Sequence, residues 1–131
     1  MPLPSGYSYC RVAVPEAAEV FGDGFASLLV NHTFPYHLRI VRGLYLFSDY
    51  LGEGDPDAVM GAGETTAILY QAAKPARSVE RLLDLSCGAG TLALLLAKDA
   101  AQVLAIDINP RAVALGAFNA AINGIRDVEF R

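Results

Sequence analysis

The chain has little cysteine, little charge and no long apolar run. Two cysteines, Cys10 and Cys87, occur in 131 residues. They make no disulfide framework, so the fold is not a small scaffold held by bridges. Charged residues are 18% of the chain and apolar residues 53%, the reverse of a disordered tail. Ten Lys and Arg stand against fourteen Asp and Glu, a net charge of −4. No dense basic cluster is present, so a stand-alone electrostatic binder of nucleic acid is not expected. The longest purely apolar stretch, around residues 92–97, falls far short of the roughly 20 residues that cross a bilayer. The start, Met1-Pro2-Leu3-Pro4-Ser5-Gly6, lacks a basic region followed by an apolar one, so no secretory signal is read there. These features lead us to expect a soluble, cytoplasmic protein of one domain, or one domain with a short appendage, and no membrane partner.

What is present divides near Ala76. Residues 1–75 read as a mostly helical N-terminal segment. Short helices are expected over 15–21 and 25–31. A longer one is expected over 35–51, where Ile40, Leu44, Phe47 and Leu51 fall at helical spacing. Residues 52–57 form a polar loop, and a helix over 64–74 is stopped by Pro75. Residues 76–131 alternate strand and helix. A strand over 79–86 leads into a small-residue turn at 87–90 and a Leu- and Ala-rich helix over 91–98. A second strand follows over 102–106. Asn109 is a good N-cap, and Pro110 suits the first helical position. In the helix after it Leu115, Phe118, Ile122 and Ile125 make one buried stripe, and Asn123-Gly124 supplies the stop. A third strand begins over 127–130. The β-α-β-α-β order implies an α/β fold with a parallel, Rossmann-like sheet and right-handed crossovers.

Three features of this second part coincide. Asp84 closes the first strand, Gly88-Ala89-Gly90 follows and opens a helix, and Asp107 closes the second strand. Glycines let the backbone turn tightly and let a ligand lie against it. A helix start offers unpaired N–H groups. An acid at the end of the neighbouring strand can accept both hydroxyl hydrogens of a ribose. Together these describe a nucleoside-containing ligand across the carboxyl ends of the strands.

Asp84-Leu85-Ser86-Cys87-Gly88-Ala89-Gly90-Thr91 resembles the first motif of class I S-adenosylmethionine-dependent methyltransferases. Ala105-Ile106-Asp107-Ile108-Asn109-Pro110-Arg111-Ala112 resembles the segment after it. Phe118-Asn119-Ala120-Ala121-Ile122-Asn123-Gly124 is similar to the helix end of the branch that includes protein-glutamine N5 and ribosomal RNA guanine N2 methyltransferases. The resemblance spans residues 82–131, and Gly61-Ala62-Gly63-Glu64-Thr65-Thr66 matches more loosely the segment that packs near the cofactor. It implies S-adenosylmethionine as cofactor. Asp84, Ser86, Cys87, Gly88, Ala89 and Gly90 would line its methionine part and ribose edge. Asp107 would hold the ribose hydroxyls, and Ile108 would pack on the adenine. The methyl acceptor would be a planar nitrogen of an RNA base or of a protein glutamine, with residues 1–75 helping to recognise it. The family usually has glycine where this chain has Ser86, which is tolerable if that residue keeps a negative φ.

Other residues read more plainly. Cys87 is a small loop filler. His32 and His37 have no carboxylates nearby, so no metal site is expected. Arg39 and Arg42 share a helical face, solvated or meeting an RNA phosphate. Glu53, Asp55 and Asp57 make a hydrated loop, and Tyr36, Tyr45 and Tyr50 are core or rim residues. A nicotinamide-dependent oxidoreductase is the rival reading, since Gly88-x-Gly90-x-x-Ala93 also fits a dinucleotide fingerprint. A non-catalytic binding module is the third. The family's catalytic loop, an Asn/Asp-Pro-Pro-aromatic tetrapeptide after the fourth strand, does not occur here, so no catalytic residue is assigned. The chain is expected to be the front half of an enzyme, with the edge of its first strand unpaired and open to a homo-oligomer.

Overall fold

The computed structural model describes residues 28, 36–49 and 56–131. The helices expected over 15–21 and 25–31 lie outside the described residues apart from Leu28, as do Cys10, His32, Tyr50, Glu53 and Asp55.

Residues 35–51 correct the helical expectation. Strand β1, His37–Val41, pairs antiparallel with β2, Leu44–Ser48. Arg42 and Gly43 join them with φ +50 and +85. Two successive positive φ values make the type I′ turn, whose twist matches that of the flanking strands. Neither residue fits a right-handed helix there, so the apparent period of three and four is broken at its centre. Gly43 between two runs rich in β-branched, Leu and aromatic residues was the local signal for a hairpin.

Helix α1, Glu64–Ala73, ends where Pro75 blocks continuation. Beyond it the strand-helix alternation is as expected. Strand β3 is Val79–Leu85, helix α2 is Thr91–Leu96 with a tighter turn over Ala97–Asp99, and strand β4 is Ala100–Ile106. Helix α3 spans Pro110–Ile122, and strand β5 is Val128–Phe130. The side chain of Asn109 accepts the Arg111 N–H at 2.9 Å, fixing the start of α3 with Pro110 in its first turn. Gly124, at φ +66, ends it.

The three strands form a parallel sheet in the order β3-β4-β5, with Leu85 opposite Ile106 and Ala105 opposite Phe130. Val103 and Ala105 of β4 are buried with Ala93 of α2, and Leu82, Val128 and Phe130 pack beside them. The opposite face carries Leu83 and Leu85, 58% and 71% exposed. Among the described residues, β3 is an edge strand. Gly90 owes its lack of a side chain to this packing, since a Cβ there would come within 2.7 Å of the Phe130 ring.

The hairpin shares a core with the sheet part. Tyr36, Phe47 and Val59 are buried with Ala89, Ala112, Leu115 and Phe118. The rings of Phe47 and Phe118 meet edge to face at 5.6 Å. No helix among the described residues is long and apolar enough to cross a membrane.

Candidate functional site

The bend after β3 is built by backbone hydrogen bonds and two carboxylates. Cys87 N–H donates to the Ile106 carbonyl at 2.9 Å, and Gly90 N–H to the Cys87 carbonyl at 2.9 Å. Gly88 N–H donates to Oδ2 of Asp107 at 2.8 Å. Asp107 Oδ1 accepts the Asn109 N–H at 2.9 Å, so this carboxylate ties the bend after β3 to the turn after β4. Asp84 Oδ2 accepts the Ala93 N–H at 2.9 Å, in the first turn of α2. A carboxylate has about four lone-pair positions, so each acid keeps acceptor capacity beyond these bonds.

Asp84 is half-buried, and that burial raises its carboxyl above the ordinary range. The Ala93 N–H pulls it back down, and the negative charge of Asp107 pushes it up again. The two acids therefore feel each other across the ends of β3 and β4. Burial is also the main reason the Cys87 thiol is pushed up to about 12, with Asp84 and Asp107 adding to it. A thiol so disfavoured as thiolate is a poor nucleophile at neutral pH.

Ser86 departs from its expectation. Its φ is +65, in the left-handed region that favours glycine, so the bend holds a serine in a strained conformation. Gly88 lies at φ +54 with the Met60 carbonyl 3.6 Å from where a Cβ would stand. Its role is conformational, and the chain just before Gly61 passes beside the bend. Ala89 is buried beneath the bend, whereas Ile108 is fully exposed beside Asp107.

Two groups of residues have tertiary roles that the sequence did not reveal. Asn119 is fully buried. Its Oδ1 accepts the Phe47 N–H at 2.8 Å, and its Nδ2 donates to the carbonyls of Phe47 and Ala89, each at 2.9 Å. One turn later Asn123 accepts the Tyr45 N–H at 2.8 Å and donates to the Tyr45 carbonyl at 2.7 Å. The two amides thus stand in for a neighbouring strand along the outer edge of β2, and Asn119 extends the link to the bend. The spacing of these asparagines was visible, but the edge they satisfy lies more than seventy residues away in sequence. The second group centres on Asp49. It binds Arg111 through both oxygens at 2.6 and 2.7 Å and accepts the Val59 N–H at 2.7 Å. Arg111 and Asn109 also donate to the Asp57 carbonyl at 3.0 and 3.1 Å. The N-terminal part is therefore pinned to the start of α3, next to Asp107.

Arg39 and Arg42, expected on one helix face, part company in the hairpin. Arg39 donates to the Ala62 carbonyl, and Arg42 lies over the Tyr70 ring at 4.6 Å. Tyr36 and His37 are buried, and Tyr45 is half exposed.

Residues 76–131 match a family model described as a methyltransferase domain. An uncharacterised RNA methyltransferase of Bacillus cereus is 39% identical over 70 residues, covering 51% of this chain and 15% of that protein. A 23S rRNA (uracil(1939)-C(5))-methyltransferase of Acidithiobacillus ferrooxidans is 52% identical over 48 residues, 37% of this chain and 11% of that protein. The crystal structure of Pyrococcus abyssi Trm5b superposes with a TM-score of 0.55 and 26% identity, over 72% of this chain and 27% of that one. Residues 76–131 are thus similar in sequence and fold to the class I S-adenosylmethionine-dependent methyltransferases. Methyltransferases of this class are enzymes whose cofactor is S-adenosylmethionine. The chain spans about one seventh of the length of the Bacillus relatives it matches.

The geometry also speaks against the dinucleotide reading of this methyltransferase segment. A pyrophosphate needs free N–H groups and positive potential at the helix start. Here the N–H groups of Cys87, Gly88, Gly90 and Ala93 are already held by acceptors of the chain, and two carboxylates stand at that end.

Proposed function

We propose that this chain supplies the cofactor-gripping part of an S-adenosylmethionine-dependent RNA methyltransferase. The observation that carries the reading is the bond from the Gly88 N–H to Asp107, which stands the acid beside the glycine bend. In this reading the remaining lone pairs of Asp107 accept the ribose hydroxyls, and exposed Ile108 covers the adenine. Residues 86–90 run along the ribose edge and the methionine part. Asp84, held by the Ala93 N–H, supplies negative potential for the cationic end of the cofactor. When bound, the cofactor supplies a methyl group made electrophilic by its sulfonium sulfur. The chain contributes position: its bonded bend and paired acids are set before the ligand arrives, so little ordering remains on binding. No residue described here is assigned to the methyl acceptor.

RNA is favoured as acceptor because most of the curated relatives compared are named as RNA methyltransferases; a ribosomal protein L11 methyltransferase of Porphyromonas gingivalis, 40% identical over 58% of this chain, supports a protein acceptor as the second reading. One relative is named for a uracil carbon, so the acceptor is set here as an RNA base and not narrowed to a planar nitrogen.

Calorimetry on the 131-residue chain tests the reading. S-adenosylmethionine and its demethylated product are expected to bind, and NAD is not. Asp107→Ala should weaken the cofactor by about 10- to 150-fold, equivalent to about 1.5–3 kcal/mol for hydrogen bonds to a charged group. Asp107→Asn, which retains an acceptor for Gly88, should fall between. Binding of NAD alone, or full affinity in both variants, would sink it.

A further inference from the structure

Asp84 and Asp107 stand at the carboxyl ends of β3 and β4. The connections into the amino ends carry Lys74 and Arg77 before β3, Lys98 with Asp99 before β4, and Arg126 with Asp127 before β5. The hairpin turn brings Arg42 to the same end. There a cavity of about 560 Å³ opens between the turn, the end of α2 and the loop after α3. Arg42, Lys98 and Arg126 line it against one acid, Asp127, and its apolar lining includes Leu44, Leu94 and Ile125. All three cations are exposed, and none makes an ion pair among the described residues.

A cation near a helix C-terminus complements the dipole, which accounts for Lys98 and Arg126 singly. It does not account for Arg42, which comes from the hairpin, or for an apolar cavity between the three. A cavity of this size suits a single small unit, since ligand sites run from about 300 to 1,000 Å³. Cations around an apolar lining suit a group with an anionic edge and a flat, poorly hydrated body. A nucleotide has both. The acceptor RNA is the partner already implicated, and the cavity lies at the opposite sheet end from the glycine bend, so occupancy leaves the cofactor site free.

We propose that this cavity takes one base of a single-stranded stretch of the RNA substrate on its apolar lining, with three successive phosphates of that stretch, the two flanking the base and the next along, at Arg42, Lys98 and Arg126. The proposal rests on the RNA reading of the chain but not on cofactor binding, so the two are tested apart.

Fluorescence anisotropy with a labelled decauridylate, on the 131-residue chain between 50 and 200 mM salt, provides the test. Each phosphate contact on a single strand contributes about −0.7 to the slope of log affinity against log salt. Three contacts make affinity fall about 18-fold across that range, and removing one cation reduces the fall to about 7-fold. Arg42→Ala, Lys98→Ala and Arg126→Ala should each flatten the slope by about 0.7, and the triple variant should flatten it by about 2. Polyphosphate of equal charge should bind more weakly than decauridylate. Calorimetry with S-adenosylmethionine on the same variants should show unchanged affinity, which establishes that they fold. An unchanged slope in the triple variant, no decauridylate binding by the parent chain, or equal binding of polyphosphate would overturn the proposal. Loss of cofactor binding by the parent chain would instead overturn the preceding section.

Discussion

Asn119 and Asn123 bond the same strand edge in the same way, one helical turn apart, so replacing each by alanine isolates the effect of burial. Asn119→Ala strips partners from three backbone groups, the N–H and carbonyl of Phe47 and the carbonyl of Ala89. The side chain is fully buried, so water does not simply take its place. A buried polar group left without a partner costs about 1–3 kcal/mol, so three of them should cost at least about 3 kcal/mol. The bonds between Asn123 and Tyr45 are solvent-exposed. Water replaces those bonds, and the loss should stay below about 1 kcal/mol. Urea unfolding followed by circular dichroism reads both. With a slope of about 1–3 kcal/mol per molar, Asn119→Ala should lower the midpoint by at least about 1 M, and Asn123→Ala should lower it by much less. Since Asn119 also holds the Ala89 carbonyl, its loss should weaken S-adenosylmethionine in calorimetry, and loss of Asn123 should not. Equal midpoint shifts, or a larger one for Asn123, would refute the reasoning that burial sets the cost.

Three further outcomes follow from the bend. Because burial raises the Asp84 carboxyl in the folded chain, the native state holds a proton more readily than the unfolded one, so this residue's contribution to stability falls as pH rises through the folded value. Asp84→Asn should therefore unfold at higher urea than the parent at pH 7, with the advantage shrinking toward pH 3, while cofactor affinity drops; a variant no more stable at pH 7 would reverse the sign. Ser86→Gly should raise stability by roughly 1 kcal/mol, because glycine adopts φ +65 without the penalty a side chain incurs; a lowered melting midpoint would contradict the strain. In a Cys10→Ser background, Cys87 should react with a thiol reagent at pH 8 only on unfolding, because burial pushes its thiol up to about 12; rapid labelling of the folded chain would count against that.

Much of residues 79–131 was legible because their signals are local. Apolar runs of strand length, Asn109-Pro110 at a helix start and Asn123-Gly124 at its end act within a few residues, and the structure has each in place. The pairing of Asp107 with the glycine bend was also foreseeable, since parallel neighbours with a crossover helix bring the carboxyl ends of β3 and β4 together. Ser86 was not. Whether a serine there keeps negative φ is decided by the bonds on either side of it, which hold Cys87 to Ile106 and Gly88 to Asp107.

Residue order alone set the strand-helix alternation, the glycine bend and the acid that meets it, because each depends on neighbours or on one regular crossover. Tertiary structure decided that residues 37–48 are a hairpin, and it decided what covers that hairpin. An isolated two-stranded hairpin is marginal in water; this one has its outer edge bonded by two amides of α3 and its Asp49 end pinned by Arg111. The same long-range packing assigned Gly90 to the Phe130 ring, an assignment that depends on an aromatic side chain forty residues further along the chain.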